Sequence, residues 1–210
     1  MTRMFTVTCL FLLAAHGDAF AGKNVAIEPK TGEVGSPSVS ETFDSALASP
    51  STGVKGEWKV VDSALVGKEL SSDKHAAVLN YQMKNRNSVV RFSFKLDDST
   101  RGFMFSLNHA KGHLFRVSVT PSEVSINLDK DKKDPKSKAM KLATAKAGFE
   151  QGKWYTMQVE MKGDRVVAQT DNGALLDVVH PQLDVDKPNY RFVMKGDSLS
   201  IDDLQIWTLN

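Results

Sequence analysis

The sequence predicts an all-β sandwich of two antiparallel sheets, and three observations carry that expectation. From about Glu41 onward the chain runs in short stretches of alternating apolar and polar residues, each closed by a turn signal. No long stretch repeats its apolar residues at the 3.6-residue period of a helix, which confines helix to a turn or two near Ser45 to Pro50. The single cysteine, Cys9, lies in the amino-terminal segment, so no disulfide braces the remainder and an apolar core must hold it. About 190 residues are enough for one such domain.

The first 21 residues read as a signal peptide. Arg3 supplies the positive start, Phe5 to Ala15 is mostly apolar, and Ala19-Phe20-Ala21 fits a small-x-small cleavage site. The apolar run is shorter than the ~20 residues that a membrane-spanning helix needs. The expectation is an exported protein, secreted or periplasmic, cut after Ala21. Residues 22 to 40 contain few apolar residues and two prolines and read as a flexible leader. Residues 41 to 210 form the sandwich.

The strands can be registered from their alternation. Val90, Phe92, Phe94 and Leu96 share one face, as do Phe103, Phe105 and Leu107; Phe115, Val117 and Val119; and Val124, Ile126 and Leu128. A one-residue slip would expose each set to water. A three-residue loop at Ala110-Lys111-Gly112 sets Leu107 opposite Phe115 and Phe105 opposite Val117, and Gly112 supplies the left-handed residue such a loop requires. A Pro121-Ser122 turn then pairs Val119 with Val124. Upstream, a loop over Asp97 to Gly102 would pair Leu96 with Phe103 and Phe94 with Phe105, completing a four-strand meander. Gly163-Asp164 joins two further strands, Gly196-Asp197 joins the last two, and the change of apolar parity between Ile201 and Leu204 predicts a bulge at Asp202-Asp203.

A net charge of +2, from 27 basic and 25 acidic residues, gives no reason to expect nucleic acid as a partner. Three places could carry chemistry. His109 and His113 would close the hairpin as a cross-strand pair, either as two ligands of a metal or as polar residues framing a turn; no third ligand lies nearby in sequence, so no metal or other cofactor is assigned. Lys68, Glu69, Asp73 and His75 cluster between two strands, where Glu69 or Asp73 with His75 could act as acid and base, or the stretch could be a solvated loop. The polar face of the meander would carry Arg91, Ser93, Lys95, Ser106, Asn108, Arg116, Ser118, Ser125 and Asn127. Arginine and asparagine there suit sugar hydroxyls or carboxylates, although an antiparallel sheet also exposes one face to plain solvent. The lysine-rich stretch Asp129 to Lys141 lacks the glycine and the terminal glutamate of a calcium loop. Glu160 has no second carboxylate in a strand pattern typical of retaining sandwich glycosidases. The tryptophans Trp58, Trp154 and Trp207 sit near strand ends and suit core or lid positions.

The order "GEWKVVDSALVGKEL … DKHAAVL … GFMFSLNHAKGHLFRVSVT … GKWYTMQVEMKGDRVVAQTDN … IDDLQIW" resembles the 3-keto-disaccharide hydrolase domain family over about Phe43 to Trp207. The resemblance implies a concanavalin A-like or laminin-G-like jelly roll that acts on or recognises glycans, with hydrolysis of oxidised disaccharides as the named activity. It carries no catalytic residue across. On that reading Glu69, Asp73 and His75 would be the acid and base, with Lys68, Arg91, Asn108 and Arg116 holding sugar in a single site. A non-catalytic glycan-binding or adhesion module, or a structural envelope protein, would use the same scaffold.

Overall fold

A computed structural model describes residues 25–97 and 99–209. Within these residues fifteen strands make two antiparallel sheets. In chain order they are β1 (Val39–Glu41), β2 (Ser51–Lys55), β3 (Glu57–Val61), β4 (Ala64–Lys68), β5 (Ala77–Tyr81), β6 (Ser88–Leu96), β7 (Gly102–His109), β8 (Gly112–Thr120), β9 (Glu123–Leu128), β10 (Met140–Lys146), β11 (Trp154–Lys162), β12 (Arg165–Thr170), β13 (Leu175–Val179), β14 (Tyr190–Lys195) and β15 (Leu199–Thr208). The first sheet runs β13-β12-β11-β6-β15-β4-β3, with β1 paired to β15; the second runs β10-β9-β8-β7-β14-β5-β2. Among the described residues helix is limited to single 3-10 turns at Ser71–Asp73 and Pro181–Leu183. Neither lies at Ser45 to Pro50, where the expected helical turn is replaced by irregular chain leading into β2.

The inward faces carry the alternating apolar sets read from sequence. Phe92, Phe94, Phe103, Phe105, Phe115 and Val117 are all buried. Two strand pairings of the expected meander hold. Leu107 faces Phe115 and Phe105 faces Val117 between β7 and β8, and Val119 faces Val124 between β8 and β9. The bulge in the last strand is also present, with a register shift between Asp202 and Gln205 and a positive φ of 48° at Asp203.

The junction of β6 and β7 differs from the sequence expectation. These strands do not pair: β6 lies between β11 and β15, and β7 lies between β14 and β8. The segment between Leu96 and Gly102 carries the chain across the sandwich instead of folding it into a hairpin. The aromatic residues of the two strands meet instead through the core, and in other pairs than those expected: Phe94 and Phe103 have ring centroids 4.8 Å apart, and Phe92 and Phe105 5.7 Å. Alternation fixes which face of a strand is apolar; it does not say whether two apolar faces lie side by side or face to face. The Gly196-Asp197 corner crosses likewise, from β14 in the second sheet to β15 in the first. The two crossings pack together. A Cβ on Gly196, whose φ is 122°, would come within 2.6 Å of the Ser99 carbonyl oxygen, so the corner admits only glycine.

The stretch expected as a flexible leader is packed from Val25 onward along the outer face of the first sheet. Its anchor is Glu160, which is fully buried. One carboxylate oxygen accepts from the Lys30 and Thr31 backbone amides, both at 2.8 Å, and from the Thr31 hydroxyl at 2.9 Å. The other accepts from the Gln158 and Gln169 side-chain amides, each at 3.0 Å. Arg91 donates to the Ile27 carbonyl at 2.8 Å and lies over the Trp207 ring, and the Trp207 indole N–H donates to the Gly35 carbonyl at 2.9 Å. A buried carboxylate is tolerable only when its oxygens are saturated with donors, as they are here.

Glu160→Ala removes the shared acceptor and leaves these donors buried without a partner. The expected result is a loss of about 3 kcal/mol in stability, with faster tryptic cleavage after Lys30 than in the parent protein. Unchanged protection of Lys30 in a limited digest would show that the strap is held by something other than Glu160.

Candidate functional site

The second sheet turns its polar face outward, and register lines up one row of side chains across it. Asn80 on β5 pairs with Arg191 on β14, Arg191 with Ser106 on β7, Ser106 with Arg116 on β8, Arg116 with Asn127 on β9, and Asn127 with Lys141 on β10. Neighbouring strands are ~4.8 Å apart, which sets Arg191 and Arg116 about 10 Å apart along the row. Between and beside them is a cavity of about 320 Å³ lined by His75, Met104, Ser106, His113, Arg116, Arg191, Val193 and Lys195, with Ala76 at its edge.

A bulge brings His113 into this cavity. Pairing runs in step to Leu107 and Phe115, then shifts so that Asn108 faces His113 and His109 faces Gly112. Leu114 is the extra residue and turns into the core. Plain alternation from Phe115 would have sent His113 inward and Leu114 outward; the bulge exchanges them. The expected cross-strand pair of His109 and His113 is thereby corrected. Gly112 does have the anticipated positive φ, 136°, but the turn it follows is the two-residue Ala110-Lys111. Among the described residues no group of three or more histidine, cysteine, aspartate or glutamate side chains could hold a metal ion.

Of the two guanidiniums of the cavity, Arg191 is held by neutral partners and Arg116 by a carboxylate. The Arg191 guanidinium donates to Asn80 Oδ1 at 3.1 Å and to Asn108 Oδ1 at 3.4 Å, and lies 3.1 Å from His113 Nδ1. That nitrogen is also 2.9 Å from Asn108 Oδ1. It can serve only one of them: bearing a proton it donates to Asn108, and bare it accepts from Arg191. Asn108 is fixed in turn by donating to Asn189 Oδ1 at 3.3 Å. Burial, then the nearby Arg191 and Arg116 charges, push the His113 imidazole below its ordinary pKa, so it is neutral at pH 7. Burial, then Arg116, also lowers Arg191. Arg116 pairs with Asp129 at 2.8 Å. The His75 Nδ1 lies 2.7 Å from the Ala76 carbonyl oxygen; a carbonyl only accepts, so Nδ1 carries the proton and Nε2 is the basic nitrogen.

The single site expected from sequence divides. His75, Asn108 and Arg116 come together around this cavity. Arg91 does not: with β6 in the first sheet, it lies on the opposite outer face beneath the strap, bonded to Gln158. Ser93 and Lys95 go with it. Lys68 ends β4 in the first sheet and is exposed. Asp73 accepts from the Gly56 amide at 2.6 Å, and Glu69 accepts from the Gly196 amide at 2.8 Å and pairs with Arg101 at 3.4 Å. These bonds tie both carboxylates to loop backbone, and neither lines the cavity. Sequence reasoning missed Arg191, although "YRFVMK" sets the buried Tyr190, Phe192 and Met194 on one face and Arg191, Val193 and Lys195 on the other. The missing information was that β14 lies beside β7, a pairing of strands over 80 residues apart that leaves no local trace.

Comparison with solved structures returns the same architecture. A carbohydrate-binding module of family 66 from Bacillus subtilis is 14% identical, with a TM-score of 0.61 over 75% of this chain and 95% of that one. A non-specific endo-β-1,3(4)-glucanase of glycoside hydrolase family 16 is 12% identical, with a TM-score of 0.59 over 90% of this chain and 95% of the other. At these identities the likeness is one of fold, a jelly-roll sandwich. Comparison with curated protein sequences gives no match. The model of the 3-keto-alpha-glucoside-1,2-lyase-like domain matches residues 45–200, most of the chain, and the protein belongs to that family.

Proposed function

We propose that the cavity on the second sheet binds a 3-oxo glycoside and eliminates its aglycone across C1 and C2. The observation that carries this reading is the chemical make-up of the lining: two imidazoles, two guanidiniums and an ammonium, with no carboxylate among them. Hydrolysis by an acid and base pair of carboxylates needs two such groups flanking the scissile bond. Elimination needs neither. A ketone at C3 acidifies the proton on C2, so one base removes it and the charge passes to the C3 oxygen as an enolate. When the ketone re-forms, the C2 electrons make the C1–C2 double bond, the C1–O bond breaks, and the departing oxygen takes a proton.

His113 suits the base, because its surroundings keep it unprotonated at neutral pH. Arg191 and Arg116 are fixed donors for the enolate oxygen, Arg191 through Asn80 and Asn108 and Arg116 through Asp129. His75, at the rim of the cavity, gives the proton to the leaving oxygen from Nε2 when it enters the cycle as the imidazolium, its Nδ1 proton staying on the Ala76 carbonyl. On this reading Glu69 and Asp73 shape the loop that presents His75 and take no part in proton transfer. A second reading, a glycan-binding module without turnover, is favoured by the near-complete coverage of the family 66 carbohydrate-binding module. Turnover decides between them. We also propose that the protein is exported, on the strength of Arg3, the apolar run and Ala19-Phe20-Ala21.

Mixed with a 3-oxo glucoside, the protein should release the aglycone and an unsaturated 3-oxo sugar, seen as a new enone absorbance. His113→Ala should lower kcat/KM by about a hundredfold or more, Arg191→Met by a similar factor, and His75→Ala by less with good leaving groups. Release of a hydrated 3-oxo sugar with no enone would exclude elimination.

The pH dependence has a fixed sign. A base whose pKa is lowered stays active to a lower pH, so the acid limb of kcat/KM should fall below the ordinary imidazole value of ~6.5. Arg191→Met removes one of the charges that depress His113 and should move the limb upward in the residual activity. A limb unmoved by that change would take the base role from His113. Export has its own check: amino-terminal sequencing of the protein from the culture fluid or periplasm should begin at Gly22.

A further inference from the structure

We propose that the glycan taken by this face is a polyanion, a chain bearing repeated carboxylate or sulfate groups, with one unit in the cavity and its neighbours lying toward the Asp129–Lys141 loop. The inference rests on the cavity's being a glycan site and adds the class of glycan.

Cations outnumber carboxylates on this face. The cavity shares His113 and Arg116 with a second depression of about 550 Å³, whose lining includes His109, Lys111, Lys130 and Lys132 together with Asp129 and Asp131. Arg101 and Lys195 line a third depression on the far side of the cavity, and Lys141 a fourth beyond Arg116. Eight cationic lysine and arginine side chains thus follow one another across one sheet face of a chain whose net charge is only +2. Four of them meet carboxylates: Arg101 with Glu69, Lys111 with Asp131, Arg116 with Asp129 and Lys141 with Glu123. Among the described residues Arg191, Lys195, Lys130 and Lys132 have no carboxylate partner, and they lie on either side of the Arg116 and His113 that join the two depressions.

The opposite face is arranged differently. There Arg91 and Arg165 are committed to Gln158, Asp177 and the strap, and Glu160 is saturated by donors. Like charges set side by side without counter-charges cost stability, and an anionic ligand would offset that cost. A neutral glucan would not. The outward strands here offer Met104, Val193 and Ser118 but no aromatic side chain, so the face lacks the stacking platform with which single-stranded nucleic acid is held. A polyuronate or sulfated glycan asks only for hydrogen-bonding groups and spaced cations, and the row from Arg191 to Lys141 offers both.

The test titrates the full chain with polygalacturonate and with dextran of matched length, and repeats the titration with Lys130→Gln/Lys132→Gln. The expected result is at least tenfold tighter binding of polygalacturonate than of dextran at roughly 50 mM salt, with the advantage shrinking as salt screens it. The double variant should lose about fivefold or more of the polygalacturonate affinity and keep turnover of a small neutral 3-oxo glucoside. Equal affinity for the two polymers would overturn the proposal, as would duplex DNA or anionic phospholipid vesicles binding as tightly as polygalacturonate. A protein that binds polygalacturonate through Lys130 and Lys132 but turns over no 3-oxo glycoside upholds the polyanion and refutes the elimination. One that turns over the glycoside without discriminating between polymers refutes the polyanion alone.

Discussion

The aromatic seam between the two sheets is the constraint on which the rest depends. Phe92 and Phe94 on β6 meet Phe103 and Phe105 on β7 and Phe192 on β14 face to face across the interior, with Phe92 and Phe192 at 5.0 Å and nearly perpendicular. With no disulfide in the described chain, this packing supplies the cohesion. It also decides where chemistry can be. Because the central strands of both sheets spend one face on the core, polar side chains are left on two outer faces that cannot communicate through it. Arg91 and Arg116, alike in sequence setting, end on opposite sides of the molecule for this reason alone.

The two outer faces have been put to different uses. On the first sheet the face is closed: Glu160, Gln158, Gln169, Arg91 and Trp207 bind residues 25–38 as a strap, and their polar groups are spent on one another and on its backbone. On the second sheet the face stays open, and its row of Asn80, Arg191, Ser106, Arg116, Asn127 and Lys141 meets a cavity instead of a strap. The bulge at Leu114 is what turns this polar surface into a candidate for catalysis. It moves one imidazole out of the core and sets it against two guanidiniums, where burial first and then their charges lower its pKa.

Local pattern made much of this legible and topology hid the rest. Alternation identified the buried set, the partners across β7, β8 and β9, and the bulge near Asp203, because each of these is fixed by neighbours a few residues apart. The same alternation could not tell a hairpin from a crossing at Asp97 to Gly102, and from that one ambiguity came the misplacing of Arg91, Ser93 and Lys95. Arg191 was written in an alternating strand but gained meaning only beside Ser106. Gly112, beside the bulge that re-aims His113, reads in sequence as the end of a three-residue loop; the need to bury Leu114 is what places the bulge. Net charge was equally uninformative, since a total of +2 conceals a basic face balanced by acidic side chains elsewhere. The packing of residues 25–38 depends on side chains more than fifty positions away, Glu160, Arg91 and Trp207 among them, so composition alone reads the stretch as disorder.

The central claim is that a small glycan unit sits between His75 and His113 on the outer face of the second sheet. Imidazole resonances report on it directly. His180 provides the internal control, since its Nδ1 accepts from the Gln182 amide at a 3-10 turn and its backbone amide donates to Asp164 in the β11–β12 turn, in the first sheet. Titrating the labelled protein with a non-cleavable 3-oxo glucoside analogue should shift the His75 and His113 ring signals together, with one dissociation constant, and leave His180 unmoved. Shifts at His180 or at the Arg91 side chain, with His75 and His113 unchanged, would contradict the account.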